Sequence, residues 1–276
     1  KTPSARAFWE GRSLRAIHIN HGLQVAANDW ARHCRQQCER WSVSCDIEDV
    51  AVARDAGKGL EAAAREARYQ AFAQRLGNGG VLLTAHHLDD QAETLLQRLM
   101  RASGLRGLAG MPESRPLSEC STLFRPLLST ARRELETYAQ AHGLSWIEDP
   151  SNESEQFDRN FLRHQVMPLF EQRWAAASHR LADSARHLRA DLSLLDTLVE
   201  ERLAQLSDGP DALVLKLSAL RALAGATRKG LLRHWLARWQ CFPSENSINE
   251  LDLWIVQGSN DGQARWQLGD LGLRLW

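Results

Sequence analysis

The sequence has no apolar run that approaches the roughly 18 residues needed for a membrane-spanning helix. Its first 15 residues lack the apolar segment of a secretory signal. Neither charge is in excess, because 34 basic side chains are balanced by 34 acidic ones. The composition also excludes a disordered chain, a collagen and a disulfide scaffold. What remains is a globular chain of 276 residues, long enough for one large domain or two smaller ones.

Cysteines are few and do not form paired motifs. The chain has five, an odd number, and no Cys-x-x-Cys pair. This pattern is typical of free thiols in a reducing compartment, so we expect a cytoplasmic protein. A structural zinc site is disfavoured, because Cys34 and Cys38 are four residues apart and would lie on one face of a helix.

Apolar segments alternate with amphipathic segments through the first half of the chain. Short apolar or β-branched runs predict strands over residues 14–20, 43–52, 81–85 and 123–127. Longer segments with glycine stop signals predict helices over residues 24–41, 59–76, 88–101 and 130–142, and a loop is expected over residues 103–119. The alternation indicates an α/β fold with a parallel, Rossmann-like sheet that is covered by helices on both faces.

The pattern changes at about residue 159, beyond which predicted helix is nearly continuous. Apolar residues between Leu181 and Leu206, Leu195 among them, recur at helical spacing and predict a packing face. A tail over residues 263–276 alternates as strands do. We therefore predict two domains, an α/β domain over residues 1–172 and a mostly helical domain over residues 173–276.

Histidines and carboxylates are concentrated in Thr84–Thr94, at the end of a predicted strand. Open parallel sheets bind ligands outside the carboxyl ends of their strands. Asp90 and Glu93 are three residues apart, so on a helix they face the same way and could share a cation or an ammonium group. The alternative is that they only stabilise the helix N-terminus through the helix dipole, by about 0.3–1 kcal/mol each. The spacing leaves both interpretations open.

Two histidines follow the first predicted strand. On a strand, a spacing of three directs His18 and His21 to opposite faces, which disfavours a shared metal ion. If the strand ends before His21, then His18 is a core or sheet-face residue. His21 then lies where Gly22 lets the backbone turn towards a ligand.

Two pairs of arginines lie close together on predicted helices. For Arg65 and Arg68 the simpler interpretation is an exposed face of ion pairs. Arg159 and Arg163 lie at a helix start beside a polar turn, which suits a phosphate or, alternatively, a local cap.

Taken together, six segments resemble the tRNA(Ile)-lysidine synthetase family of the N-type ATP pyrophosphatase (PP-loop) superfamily. They occur in the family's order, cover about residues 14–163, and comprise His18–Leu23, Gly59–Tyr69, Thr84–Thr94, Arg101–Gly104, Arg125–Leu128 and Asp149–Arg163. The resemblance implies a PP-loop ATPase domain followed by a helical domain that binds the substrate or tRNA.

The resemblance also implies a reaction and its partners. ATP adenylates C2 of the wobble cytidine in the CAU anticodon of a tRNA(Ile), and L-lysine then displaces AMP to give lysidine, which changes decoding from AUG to AUA. The carboxylates implied for lysine or Mg²⁺ are Asp90 and Glu93, with Asp89. The residues implied for nucleotide, cytidine or phosphate contacts are His21, His86, Arg65, Arg68, Arg159 and Arg163. A homodimer is a further expectation, and no membrane partner is expected.

One motif of the superfamily, the phosphate loop Ser-Gly-Gly-x-Asp-Ser, does not occur in the sequence. Because the resemblance begins at the family's second strand, we expect a fragment without the N-terminal strand, loop and helix, and without the basic C-terminal domain. Between Arg159 and Arg189 arginines outnumber acids six to two, so the zero net charge does not exclude a tRNA partner.

Three other interpretations stay open. One is another PP-loop tRNA-modifying enzyme such as a thiolase, although an iron–sulfur thiolase is disfavoured by the lack of Cys-x-x-Cys pairs. The second is a non-catalytic tRNA-binding fragment. The third is a metal hydrolase that uses His86, His87 and Asp90.

Overall fold

The computed structural model describes residues 13–22, 24–50, 60–208, 214–239, 241–258, 265–268 and 271–275. The chain divides into two compact units, Lys1–Arg186 and His187–Trp276. The domain boundary near residue 172 stays a prediction.

The strands are β1 (Arg15–Asn20), β2 (Ser44–Asp49), β3 (Val81–Leu83), β4 (Ser114–Ser118), β5 (Ser121–Phe124), β6 (Ser207–Asp208), β7 (Val214–Leu215), β8 (Arg265–Leu268) and β9 (Leu271–Arg274). The α-helices are α1 (Ala27–Arg40), α2 (Leu60–Arg75), α3 (Leu88–Met100), α4 (Leu105–Leu108), α5 (Arg132–Ala141), α6 (Asp158–Phe161), α7 (Met167–Arg173), α8 (Ala177–Leu206), α9 (Leu217–Arg221), α10 (Gly225–Ala237) and α11 (Glu245–Gln257). A 3-10 turn covers Pro150–Glu153, and a π-helical turn covers Leu162–Val166.

β1 and β2 form a parallel pair, from Arg15 opposite Ser44 to Asn20 opposite Asp49. Helix α1 connects them and packs against both strands. The two parallel strands and the helix between them form the βαβ unit that the alternating pattern predicts. The predicted second strand reaches only Asp49, and residues 51–52 of that prediction lie outside the described residues, as does Gly59 of the next predicted helix.

A second sheet has the order β3-β5-β4. β3 and β5 are parallel, as predicted, and β4 pairs antiparallel with β5 at the edge. The prediction of a loop over residues 103–119 is wrong, because that segment contains α4 and β4. Strand β4 has a polar sequence, so it lacks the apolar alternation that predicts a strand. It includes Pro116, which has no backbone N–H, and an edge strand tolerates such a residue.

Strand β3 is less buried than its apolar sequence indicates. Leu82 is buried, whereas Val81 and Leu83, which point to the opposite face, are 43% and 40% exposed. The strand ends at Leu83, and the chain passes through Thr84–His87 directly into α3.

Helix α3 lies in the first unit's core with its N-terminus just beyond β3. Its apolar face, which includes Ala92 and Leu96, packs against residues of the π-helical turn, α7 and α8, namely Leu162, Met167 and Ala177. This core holds the start of α3 against the segment that carries Arg159 and Arg163, and it thereby positions the site described below.

The second unit is mainly helical, as predicted. Its core contains buried residues of α8, α9, α10 and α11 and the residue after β9, which are Leu203, Leu206, Leu220, Leu231, Leu232, Trp235, Leu236, Ile248, Leu251, Ile255 and Leu275. The hairpins β6-β7 and β8-β9 are antiparallel, and the latter confirms the strand prediction for the part of the tail that the structure describes. The predicted stripe of α8 buries Leu203 and Leu206, but its Leu195 is 45% exposed. No helix in the described ranges is both long and apolar enough to cross a membrane.

Candidate active site

The first turn of α3 carries a group of carboxylates beside the end of β3. Asp89 and Asp90 occupy this turn, and the backbone N–H of His87 donates to Oδ2 of Asp90 at 2.9 Å. The helix dipole and this hydrogen bond stabilise negative charge here. The helix-stabilising interpretation therefore describes part of the role of Asp90.

Asp90 and Glu93 also contact two arginines. Arg159 donates from Nη2 to Oδ1 of Asp90 at 2.5 Å and from Nε to Oε2 of Glu93 at 2.6 Å. Arg163 donates from Nε to Oε1 of Glu93 at 2.7 Å and from Nη2 to Oε2 at 3.0 Å. We call these four residues the acid–arginine network.

The acid–arginine network is formally neutral, and its two carboxylates are buried, whereas its two arginines are partly exposed. Glu93 is 2% exposed and Asp90 is 7% exposed. Removing an unpaired ion from water costs several kcal/mol, so each carboxylate depends on the guanidinium groups that face it. Burial lowers the pKa of Arg159, but Glu93 and Asp90 raise it by more, and the net direction is upward. Arg159 is thus charged at neutral pH.

A short helical segment presents both arginines to Glu93. Arg159 lies in α6 and Arg163 lies in the π-helical turn that follows, four residues later. Wider turns of this kind occur frequently at functional sites. Between the arginines, the buried Asn160 side chain donates to the carbonyls of Ser151 at 2.9 Å and Ser154 at 2.8 Å. These bonds fasten the preceding polar turn to α6.

Asp89 has different partners from the network. The backbone N–H of Arg132 donates to its Oδ2 at 2.8 Å, and Nδ1 of His87 lies 3.5 Å from the same oxygen. Burial alone would raise the pKa of Asp89, but His87 and the Arg132 N–H bring it down to about 2. Asp89 is therefore an anion throughout the physiological range. The sequence patterns did not single out Arg132, since its backbone rather than its side chain makes the contact.

His86 stands beside the network in its neutral form. Nδ1 of its ring lies 2.9 Å from the Thr84 hydroxyl. Burial lowers the pKa of His86 to about 4, Asp90 opposes this shift, and the guanidinium groups of Arg125, Arg159 and Arg65 add to it. The imidazole is uncharged at pH 7 and contributes no positive charge to a site that is already rich in arginine.

His21 and Arg68 lie in a second neighbourhood at the end of β1. The strand ends at Asn20, which confirms that His21 lies beyond it, and Gly22 adopts a φ of 60°, so the backbone turns there. Burial lowers the pKa of His21, and Arg68 and His18 lower it further. His18 lies within β1, with Nδ1 3.4 Å from Sγ of Cys34, which fits a sheet-face residue.

Arg65 is exposed, as predicted, and it contacts Tyr69 on the same helix. Its guanidinium carbon lies 5.0 Å from the centroid of the Tyr69 ring, and Nη2 lies 3.5 Å from the Tyr69 hydroxyl. Arg65 and Tyr69 are one turn apart on α2, so their helical spacing brings them together.

A pocket of about 240 Å³ opens beside the network. It is lined by Asp89, Glu93, Arg132, Arg163, Met167, Pro168, Glu171 and Ser178. Carboxylates, arginines and an apolar wall thus meet in one small cleft. Such a lining suits a small zwitterion with an aliphatic body.

The carboxylates of the network do not fit a Mg²⁺ ion in this arrangement. Mg²⁺ needs oxygen ligands with free lone pairs directed at one point, whereas both oxygens of Glu93 and Oδ1 of Asp90 accept from arginines. In the described part of the chain, no group of three or more histidine, cysteine, aspartate or glutamate side chains is arranged to hold a metal ion. The assignment of Mg²⁺ to Asp90 and Glu93 stays a prediction.

Two family models match the chain. One, described as a PP-loop domain, covers residues 4–170, and the other, described as the TilS substrate binding domain, covers residues 215–276. The chain belongs to the PP-loop family. This match confirms the predicted α/β domain and accounts for the parallel pairing of β1 with β2 and of β3 with β5.

Curated relatives of this PP-loop protein share about half of its residues. Proteins named tRNA(Ile)-lysidine synthase from Pseudomonas putida KT2440, Alkalilimnicola ehrlichii and Xanthomonas axonopodis pv. citri are 51%, 50% and 50% identical over 93%, 94% and 99% of the chain. The chain spans 60%, 58% and 62% of the length of these three relatives.

A solved structure shares the fold of this PP-loop protein at low sequence identity. It is a U34-tRNA thiolase, NcsA from Methanococcus maripaludis with its 4Fe–4S cluster, and it is 15% identical with a TM-score of 0.51. The match covers 67% of this chain and 65% of the thiolase. At this identity, the likeness supports the fold alone.

Proposed function

We propose that the protein is an ATP-dependent carbon–nitrogen ligase, a tRNA(Ile)-lysidine synthetase. It joins L-lysine to C2 of the wobble cytidine of a tRNA(Ile) with the anticodon CAU. The names of the curated relatives and the match of residues 215–276 to a TilS substrate binding domain support this proposal. The observation that carries it is the acid–arginine network, which places paired charges of both signs beside a small polar cleft.

The proposed reaction has two steps. First, the C2 oxygen of cytidine attacks the α-phosphorus of ATP, the bond to the β-phosphate bridge breaks, and pyrophosphate leaves. Second, the ε-nitrogen of lysine attacks C2, the bond from C2 to the adenylate oxygen breaks, and AMP leaves while the nitrogen loses its protons to solvent. Negative charge develops on phosphate oxygens in the first step, and fixed cations close to them lower that barrier.

In this proposal, Arg159 and Arg163 donate to phosphate oxygens. Arg159 uses Nε and Nη2 on the two carboxylates, which leaves the N–H groups of Nη1 for a phosphate. The role of Asp90 and Glu93 is then to hold the two guanidinium planes in place. They are positioning residues, because their oxygens already accept from arginines.

Asp89 is the proposed partner of the lysine ammonium group. Of the three carboxylates, it alone has no arginine side chain within salt-bridge distance in the described ranges. Its pKa of about 2 keeps it anionic, and it lines the 240 Å³ pocket. The apolar side chains of Met167 and Pro168 in that pocket would contact the methylenes of lysine.

Of the remaining predicted residues, His21, His86 and Arg68 are proposed to contact the nucleotide, and Arg65 is proposed to contact a phosphate. His21 and His86 have pKa values that lie below the usual histidine range, so at pH 7 they offer neutral hydrogen-bonding groups. Arg65 and Arg68 add positive charge on α2. No step is assigned to Mg²⁺, and the homodimer and the cytoplasmic location stay predictions.

The test supplies the protein expressed from its complete gene with ATP, labelled lysine and transcripts of the candidate tRNAs. We expect label in the CAU tRNA(Ile) and none in the methionine tRNA that shares its anticodon. Label transfer must also require ATP. Bound zinc with hydrolytic activity, or sulfur in place of lysine at the modified base, would instead favour the metal hydrolase or the thiolase.

A further inference from the structure

Three arginines that the acid–arginine network does not contain gather around Tyr69. The guanidinium carbons of Arg65 and Arg115 lie 5.0 and 5.3 Å from the centroid of its ring. Arg125, at the end of β5, is close enough to Tyr69, Arg115 and Arg65 for all three to affect its pKa. We call Arg65, Tyr69, Arg115 and Arg125 the arginine–tyrosine cluster.

Arg125 is the buried member of this cluster. Its side chain is 3% exposed. Nη1 donates to the carbonyl of Pro112 at 2.7 Å, and its buried Nε has no hydrogen-bond partner. Among the side chains that the structure describes, no carboxylate pairs with Arg115 or Arg125.

The second unit shows how this chain buries an arginine that has only a structural role. Arg228 is 6% exposed, and it donates from Nε and Nη2 to the two carboxylate oxygens of Asp252 at 2.6 and 3.1 Å. Its Nη1 also donates to the carbonyl of Leu223 at 2.8 Å. Among the described residues, Arg125 has neither a carboxylate partner nor an acceptor at Nε.

An unpaired buried cation is costly, and like charges beside it add to the cost. Burial lowers the pKa of the Arg125 guanidinium, Tyr69 opposes the shift, and Arg115 and Arg65 add to it. A bound anion would supply both the counter-charge and the hydrogen-bond acceptor that Nε of Arg125 lacks. The cluster therefore has the properties of an anion site.

The position of the cluster indicates which anion it takes. Arg65 and Arg125 both lower the pKa of His86, which stands beside Asp90, so the cluster borders the proposed active site. Arg65 is exposed, Arg115 is partly exposed and Arg125 is buried, so the site is open on one side. Guanidinium groups beside an aromatic ring are a common way to hold an RNA phosphate and its adjacent base.

We propose that the arginine–tyrosine cluster binds a backbone phosphodiester of the RNA substrate, with Tyr69 holding the guanidinium groups of Arg65 and Arg115 in place. This inference rests on the proposed function, because it takes tRNA as the substrate. It adds Arg115, Arg125 and Tyr69 to the residues that hold the tRNA next to the acid–arginine network.

The experiment measures binding of the CAU tRNA(Ile) transcript as a function of salt, with the protein expressed from its complete gene. Arg115→Gln and Arg65→Gln should each weaken binding by about tenfold and reduce the slope of log K against log salt by about 1. Arg125→Gln should do the same, and Arg125→Lys should retain the slope. Arg32→Gln, which removes an exposed arginine on α1 paired with Asp29, is the matched control and should bind as the wild type does.

The other outcomes are equally informative. Because Arg125→Gln carries a risk of misfolding, thermal unfolding of each variant is measured. If Arg125→Gln does not fold, the variants at the two solvent-accessible positions, Arg65 and Arg115, decide the outcome. If Arg115→Gln and Arg65→Gln bind tRNA with the affinity and salt slope of the wild type, the proposal is overturned. It is also overturned if these variants raise the KM for ATP while their tRNA binding is unchanged. If the variants lose tRNA affinity but the wild type makes no lysidine, the proposed function fails and the phosphate site stands.

Discussion

Nε of Arg159 lies 2.6 Å from Oε2 of Glu93, and this contact joins positions 66 residues apart in the chain. It connects the first turns of α3, which start at the end of a strand, to a helical segment that follows a polar turn. Glu93 accepts from Arg163 as well, so one buried carboxylate organises two guanidinium groups. We infer that the site depends on this carboxylate more than on any other single side chain.

Removal of Glu93 should destabilise the fold. Glu93→Ala removes a buried carboxylate and leaves two partly exposed arginines, Arg159 without one partner and Arg163 without its main partner, so the free energy of unfolding should fall by about 1–3 kcal/mol. Urea denaturation measures this change. Glu136→Gln, which breaks an exposed pair with Arg132, is the control and should cost less than about 1 kcal/mol. An equal effect of the two substitutions would contradict the role given to burial.

Asp89 should make stability depend on pH in the acid range. Its pKa is about 2 in the folded protein and lies near 3.9 in an unfolded chain, so its stabilising contribution is present above about pH 4 and is lost as pH falls towards 2. The loss should be about 1–2 kcal/mol after allowance for solvent screening. The difference in unfolding free energy between wild type and Asp89→Asn should shrink across this window. A difference that stays constant would show that the pKa is not lowered.

His86 should titrate far below an ordinary histidine. We expect its ring resonances in an NMR titration to shift with a midpoint at about pH 4, because burial disfavours the charged ring. As pH falls from about 6.5 to 4, the unfolded chain takes up a proton that the folded protein does not. Unfolding free energy should therefore decrease over that range by up to about 3 kcal/mol relative to His86→Gln. A midpoint near 6.5 would refute this interpretation.

Asn160 should contribute to the stability of the fold, although its side chain is uncharged. Its buried amide donates to two carbonyls of the preceding turn, so Asn160→Ala should lower the unfolding free energy by about 1–3 kcal/mol. The same substitution at Asn249, an exposed partner of Lys229, should change it by less than about 0.5 kcal/mol. Chemical denaturation of the two variants side by side gives the comparison. Similar values would mean that the turn is not held by Asn160.

Sequence patterns predicted the local structure around the site better than its contacts. The strand before Thr84 and the helix from Leu88 follow from apolar periodicity, and Asp90, Glu93, Arg159 and Arg163 stand out by spacing. Their mutual pairing does not follow from spacing, because it depends on how α3 packs against a segment more than 60 residues away. Spacing within one helix offered a cation or an ammonium group as the partner, whereas tertiary packing provides arginines.

Two further features could not be read from local pattern. Strand β4 forms because β5 offers it an edge, and its own polar sequence with Pro116 gives no strand signal. Arg125 follows an apolar strand in a motif with no assigned role, and only its burial reveals the lack of a counter-charge. The first feature depends on pairing with the next strand, and the second depends on solvent exposure.

Nucleoside analysis of the CAU tRNA(Ile), after reaction with ATP and lysine, tests the central claim most directly. The wild-type protein expressed from its complete gene should convert the wobble cytidine to lysidine. Glu93→Gln, which keeps the shape of the side chain but removes its charge, should reduce the rate by on the order of a hundredfold, about 2.7 kcal/mol of barrier. Unmodified cytidine with the wild type, or lysidine formed by Glu93→Gln at the wild-type rate, would contradict the claim that this network carries the reaction.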